Sequence, residues 1–143
     1  MGEKNEKLFR KDIRDVEIVR DINSMKLLSD MLSSKVGSLL SINSIRGNLG
    51  VSHRAASNWL NILESFYYQF RIYPFSTKIF RSLKKEPKLY LLDYSEIENE
   101  AARFENIIAS HLLKFTHFLY DWQEYKAQLY FSETPIKEKL IFL

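Results

Sequence analysis

The chain has 143 residues, and its 21 Lys and Arg against 18 Asp and Glu give a formal net charge of +3. This length predicts one domain, or one domain with an appendage. Hydrophobic residues make up 45% and aromatic residues 14%, which is enough for a buried core and excludes disorder over the bulk of the chain. There is no cysteine, so disulfides, a thiol nucleophile and cysteine zinc sites are excluded.

Short motifs and apolar runs narrow the classes of protein further. The 4 glycines form no phosphate-binding motif, which argues against an independent nucleotide-binding enzyme. The longest stretch without a charged residue, residues 36–45, is too short to span a bilayer. The N-terminus has no apolar segment of a signal peptide. We therefore expect a cytoplasmic protein with no membrane partner.

The positive charge is concentrated in the middle of the chain. Residues 51–93 carry 7 basic and 3 acidic side chains, whereas residues 94–143 carry 5 basic and 8 acidic ones. A local excess of this size suits contact with a polyanion.

Apolar residues at helical spacing predict four helices in the first half of the chain. The first covers residues 8–22, and the second runs from a cap at Asn23 or Ser24 to Gly37. A short helix follows over residues 41–50. After a tight turn, Ser52 caps a further helix over residues 53–66.

The pattern changes from helical to alternating after residue 66. Residues 68–72 predict a strand that ends at Pro74, and Pro87 opens a second strand over residues 88–92. The loop between them is basic. Two strands joined by such a loop form a hairpin of the kind called a wing.

The last third predicts a long helix over residues 96–115, with an apolar stripe that faces the core. The stripe consists of Phe104, Ile107, Ile108, Leu112 and Phe115. Residues 126–131 and 136–143 predict short terminal strands. The predicted fold class is therefore mainly α with a small β-hairpin wing: a winged helix-turn-helix over residues 24–93, then a long C-terminal helix and short terminal strands.

A short helix, a glycine-containing turn and a second helix form a helix-turn-helix, in which Gly50 tolerates a left-handed backbone. The second helix of such a unit enters the major groove, where Arg54 can bind guanine and Asn58 can bind adenine. We predict double-stranded DNA as the partner. The predicted DNA-binding residues lie on this helix and on the wing loop: Ser52, His53, Arg54, Ser57, Asn58, Asn61, Lys78, Arg81, Lys84 and Lys85.

No catalytic residue, cofactor or metal site is predicted. His111 and His117 are six residues apart, which is not the spacing of a metal-binding pair on a helix. A solvated basic loop remains the alternative interpretation of the wing. A domain that contacts other proteins remains the alternative for the whole arrangement.

Several ordered segments resemble one known family. They are LGVSHRAASNWLNILE at residues 49–64, YPF at 73–75, KEPKLY at 85–90 and LD at 92–93. In this order they resemble a large prokaryotic AAA-type ATPase family of poorly known function. Its members carry an ATPase domain, a winged helix and a C-terminal region similar to the PD-(D/E)XK nuclease fold. Residues 11–15 resemble the stretch after the ATPase, and residues 103–114 the first helix of the nuclease-like region.

This resemblance implies a C-terminal fragment of such an ATPase. Residues 1–23 would be a helical lead-in from a missing ATPase domain, and residues 94–143 a truncated nuclease-like region. A separate ATPase domain would be a partner. The Gly-Lys-Ser/Thr loop is missing, and Glu105 matches the family's helix carboxylate without its metal-binding partners. We therefore expect no catalytic activity.

Two functions remain open for this fragment. In the first it binds DNA, and in the second it is a protein-interaction domain or a non-functional relic of a split gene. A continuous positive face that joins Arg54, Arg81, Lys84 and Lys85 would favour DNA binding. Neutralisation of that face by Glu64 and Glu86 would favour the second function.

Overall fold

The computed structural model describes residues 22–78, 81, 83–133 and 139–142. Over these residues the protein is mainly helical, with a small mixed sheet. The helices are α1 (Ile22–Ser34), α2 (Ile42–Leu49), α3 (His53–Ser65) and α4 (Glu100–Gln123). The strands are β1 (Gln69–Pro74), β2 (Lys88–Leu91), β3 (Leu129–Ser132) and β4 (Lys139–Phe142). The lead-in predicted for residues 1–23 lies outside the described residues except for its last two residues, which belong to α1.

The four strands form one sheet in the order β2-β1-β3-β4. β1 pairs antiparallel with β2, and β3 pairs antiparallel with β4. The two hairpins meet where β1 runs parallel to β3, with Tyr73 opposite Tyr130. The sheet therefore continues from the predicted wing strands into the terminal strands. Among the helices described, none is long and apolar enough to cross a membrane.

Local capping determines where α2 and α3 begin and where α2 ends. The Ser41 side chain accepts a hydrogen bond from the Ser44 N–H, and Gly50 ends α2 in the left-handed conformation at φ 66°. Ser52 then accepts from the Ala55 N–H at 3.1 Å and starts α3. These contacts confirm the predicted two helices and the turn between them.

The core lies between α1, α3 and the sheet. Its fully buried side chains come mainly from these elements: Met25, Leu28, Leu32, Ala56, Leu60, Leu63, Ile72, Leu89, Tyr90 and Leu91. Because Ala56, Leu60 and Leu63 share one face of α3, burial of that face turns the opposite face of the helix to solvent.

The start and end of α1 differ in detail from the prediction. Asn23 and Ser24 lie within the helix and do not cap it. Gly37 has the positive φ of 76° that a chain reversal needs, but its N–H donates to the Leu89 carbonyl of β2. The turn therefore delivers the chain to the sheet, where Leu39 forms an antiparallel bridge with Lys88.

The predicted bounds of the long helix are wrong. Residues 94–96 form a short 3-10 turn capped by Asp93, and α4 begins at Glu100 after a cap at Asn99. The helix then runs past Phe115 to Gln123. It ends at Glu124, which adopts the left-handed conformation.

The predicted core stripe of this helix is also wrong. Phe104, Ile108 and Phe115 are exposed by 66%, 41% and 47%. The buried face is instead small and polar: Asn106, Ala109, Ser110 and Thr116. The physical reason is that Asn106 and Ser110 satisfy backbone groups of β2, which favours burial of their face over the apolar one.

Candidate nucleic-acid interface

The polar face of α3 is turned to solvent. Arg54, Asn58 and Asn61 are exposed and Ser57 is half-buried, at the spacing that places all four on one face. The predicted recognition residues of this helix are thus brought together. Ser52 and His53 are exposed at its N-terminus.

Arg71 of β1 joins this face to the sheet. Its Nη2 donates to Asn61 Oδ1 at 2.8 Å and to Glu64 Oε2 at 2.6 Å. Glu64 therefore pairs with Arg71. The Glu64 carboxylate forms a salt bridge with the guanidinium of Arg71, a residue that the sequence did not indicate as functional.

Residues of α3 and of the wing loop line a common cleft of about 300 Å³. It lies between the first turns of α2 and α3 and the end of the loop that leads into β2. Its polar lining includes His53, Arg71, Tyr73, Lys84, Lys85 and Glu86. The structure thus brings His53 and the two predicted lysines to one site.

Two residues of this cleft were missed in the sequence. Arg71 and Tyr73 lie on one face of β1, two residues apart, and the same alternation places Gln69 on that face. The alternating period that predicted the strand contained this signal. Gln69 is nevertheless buried, because its Nε2 donates to the Leu60 carbonyl at 2.8 Å.

The basic side chains of the wing loop differ in their surroundings. Lys78, Arg81, Lys84 and Lys85 are all exposed. Lys85 Nζ lies 2.6 Å from Glu133 Oε2, beyond β3. Glu133 is therefore the acidic group that neutralises Lys85, while Glu86 lines the same cleft.

Glu105 of α4 has a different environment from a metal-binding carboxylate. Its Oε1 accepts from the Tyr90 hydroxyl at 2.7 Å and lies 3.5 Å from Lys88 Nζ. Lys88 in turn lies over the Phe131 ring, 5.6 Å from its centre. These contacts connect α4 to β2 and β3. Over the residues the structure describes, no three His, Asp or Glu side chains cluster as a metal site would require.

His111 is an exposed residue on the surface of α4. Its Nδ1 lies 2.8 Å from the Ile107 carbonyl, which can only accept a hydrogen bond, so Nδ1 is the donor. The ring of His111 is thus bound to the backbone of its own helix.

Comparison with known proteins identifies a family but no individual relative. No curated protein and no solved structure matches the chain. A family model described as a domain of unknown function, DUF8612, matches residues 3–99. This span includes all the candidate DNA-binding residues and ends just before α4. Because it covers more than half of the sequence, the chain belongs to the DUF8612 family.

Proposed function

We propose that this protein is a DNA-binding winged-helix module. The observation that carries the proposal is the cleft at which the N-terminus of α3 meets Lys84 and Lys85 of the wing loop. A base-reading helix and a phosphate-binding loop have to lie side by side to contact one duplex.

The order of elements supports a winged helix. Among the described residues, three helices precede the hairpin of β1 and β2, and the chain between α1 and α2 touches β2 through the bridge from Leu39 to Lys88. The hairpin thus packs beside the helix-turn-helix, with its loop on the same side as the start of α3.

The chemistry of the exposed groups suggests how the contacts divide. Arg54 can donate to base edges in the major groove, and Asn58 can both donate and accept there. Lys78, Arg81, Lys84 and Lys85 present ammonium and guanidinium groups suited to phosphate oxygens. Asn61 is held by Arg71, so its role is to orient the helix face as much as to contact a base.

A titration of fluorescent duplex with the full chain tests the proposal. We expect binding tighter than the non-specific level of roughly 10⁻⁴–10⁻⁶ M, with affinity that falls as salt is raised. A mixture of random duplexes as competitor separates specific from non-specific binding. Failure to exceed the non-specific level would overturn the proposal and favour the protein-interaction or relic function.

We also propose, from the resemblance to AAA-type ATPases, that a separate ATPase domain is a partner and that this chain is not an enzyme. The proposal predicts neither ATP hydrolysis nor Mg²⁺-dependent DNA cleavage by the purified protein. Either activity, if it co-purified with the chain and was lost in a variant of it, would contradict this.

A further inference from the structure

An apolar stripe runs along α4 with the spacing of a coiled-coil seam. Successive members are separated by four, three, four, three and four residues: Phe104, Ile108, His111, Phe115, Phe118 and Trp122. This is the alternation of positions a and d in a heptad repeat. The stripe covers 19 residues of helix, and its two ends lie about 27 Å apart at 1.5 Å per residue.

The stripe is exposed along its whole length. In addition to the three side chains given above, Phe118 is 52% and Trp122 76% exposed. The rings are also ordered against one another. Phe115 stacks on Phe118 with centres 6.5 Å apart, and Phe118 stacks on Trp122 at 6.0 Å. The C-terminal half of the stripe is therefore a run of stacked rings, and the whole stripe from Phe104 to Trp122 is called the ridge below.

The opposite face of α4 is fixed to the protein's own core. Asn106 and Ala109 are completely buried there, and Ser110 and Thr116 are nearly so. Asn106 forms hydrogen bonds of 2.8 and 2.7 Å with the backbone of Leu91. Rotation of the helix to bury the ridge would break these bonds, so the core formed by the described residues cannot cover the ridge.

We propose that the ridge is a self-association surface, on which α4 of a second copy of this chain packs. A seam spaced by fours and threes fits an identical helix, because each copy then supplies both the knobs and the holes. A two-fold axis makes one patch complementary to itself.

The area and charge of the ridge agree with this occupant. At about 200 Å² for a large side chain, its five apolar members expose roughly 500–600 Å² per copy. A stable interface needs about 800 Å² per partner, which the polar and aliphatic flanks of the seam can complete. α4 carries three acidic and two basic side chains. Its net charge is therefore small, and the electrostatic repulsion between two copies is weak.

This inference is independent of DNA binding. The ridge lies on α4, whereas the candidate DNA surface lies on α3 and the wing loop. Failure of one proposal therefore leaves the other intact.

Sedimentation equilibrium of the full chain tests the inference directly. We expect a species of twice the 17.0 kDa chain mass, with dissociation on dilution. Phe118→Glu should raise the dimer dissociation constant by roughly 30-fold or more, the loss typical of a hot-spot residue. The matched control is Leu27→Glu on α1, an equally exposed apolar residue outside the ridge, which should leave the constant unchanged.

Circular dichroism shows whether each variant is folded, and both replaced side chains are exposed, so folding should be retained. If Phe118→Glu does not fold, Phe104→Gln at the far end of the ridge replaces it. A wild-type chain that stays monomeric at the highest soluble concentration would overturn the proposal and leave the ridge to a different partner. Equal association of the wild type and Phe118→Glu, or dissociation by Leu27→Glu, would also overturn it.

Discussion

The side chain of Asn106 binds the backbone of Leu91 at both of its polar groups. Asn106 Oδ1 accepts from the Leu91 N–H at 2.8 Å, and Asn106 Nδ2 donates to the Leu91 carbonyl at 2.7 Å. The carboxamide thus takes the place of a neighbouring strand. β2 is an edge strand of the sheet, and this contact satisfies part of the backbone hydrogen-bonding groups on its outer edge.

The segment between α1 and α2 covers the rest of that edge. Gly37 N–H donates to the Leu89 carbonyl, Leu89 N–H to the Ser38 carbonyl, and Leu40 N–H to the Pro87 carbonyl. Alternate residues of β2 are therefore paired on the side away from β1. An exposed strand edge would be open to pairing with another chain, and here it is closed.

Replacement of Asn106 should destabilise the fold. Asn106→Leu removes both hydrogen bonds to Leu91. The buried Leu91 N–H is then left without a partner, and the Leu91 carbonyl keeps only the 3.4 Å contact with Ser110 Oγ. We expect a loss of about 2–4 kcal/mol in the free energy of unfolding, since each unsatisfied buried group costs roughly 1–3 kcal/mol. Urea denaturation followed by circular dichroism measures it.

The control for this change is Asn48→Leu on α2, where the side chain is exposed. Such a surface substitution should change stability by no more than about 0.5 kcal/mol. Equal losses in the two variants would show that the contact with Leu91 contributes little.

Local sequence signals predicted the elements whose cause is local. Ser41, Gly50 and Ser52 act within a few residues of themselves, so their caps could be inferred from sequence alone. The alternation along β1 likewise predicted a strand. The prediction failed where distant groups decide the outcome.

The orientation of α4 is the clearest of these failures. Periodicity favours burial of Phe104 and Phe115. The orientation of the helix is instead fixed by the hydrogen bonds of Asn106 to Leu91, which lies 15 residues earlier in the chain. A single sequence does not reveal that pairing. The salt bridge between Lys85 and Glu133 spans 48 residues, and it escaped prediction for the same reason.

Tyr68 predicts a decline in stability at high pH. Burial, with a further contribution from the Glu96 carboxylate, raises the pKa of its phenol well above the ordinary value of 10.0. Above pH 10 the unfolded chain loses this proton while the folded chain retains it. The free energy of unfolding should therefore fall as pH rises, by up to about 1.4 kcal/mol per pH unit.

The comparison that isolates this effect is Tyr68→Phe, because other titrating groups act equally in both proteins. Its stability should fall less steeply above pH 10 than that of the wild type. Tyr94→Phe removes an exposed tyrosine and should follow the wild type. Parallel profiles for all three proteins would exclude Tyr68 as the cause.

DNA binding by this protein should show two separable mutational effects. Arg54→Ala removes a base-edge contact, so it should cost about 1–3 kcal/mol on a preferred site and weaken sequence preference. Replacement of Lys84 and Lys85 by Ala should weaken all duplexes alike and lower the salt slope by about one unit per lost contact. Fluorescence anisotropy at several salt concentrations measures both quantities.

Lys26→Ala on α1 serves as the control, because it removes one exposed positive charge outside the candidate surface. It should leave both affinity and salt slope close to those of the wild type. Loss of sequence preference in the lysine variant, with none in Arg54→Ala, would contradict the assigned roles of α3 and the wing loop.

Glu133 provides a change that should strengthen DNA binding. Its carboxylate lies 2.6 Å from Lys85 Nζ, and both side chains are about half exposed, at 45% and 49%. An exposed pair of this kind contributes only about 0–1 kcal/mol to stability, so Glu133→Gln should leave the fold intact. It should also release Lys85 for a phosphate, which raises duplex affinity and steepens the salt slope by about one unit.

Glu98→Gln makes the same change in net charge at an exposed site away from the wing loop, so its effect should be smaller. In a Lys85→Ala background, Glu133→Gln should lose its advantage over Glu98→Gln. If the advantage persisted there, Glu133 would act through the overall field of the protein and not through Lys85.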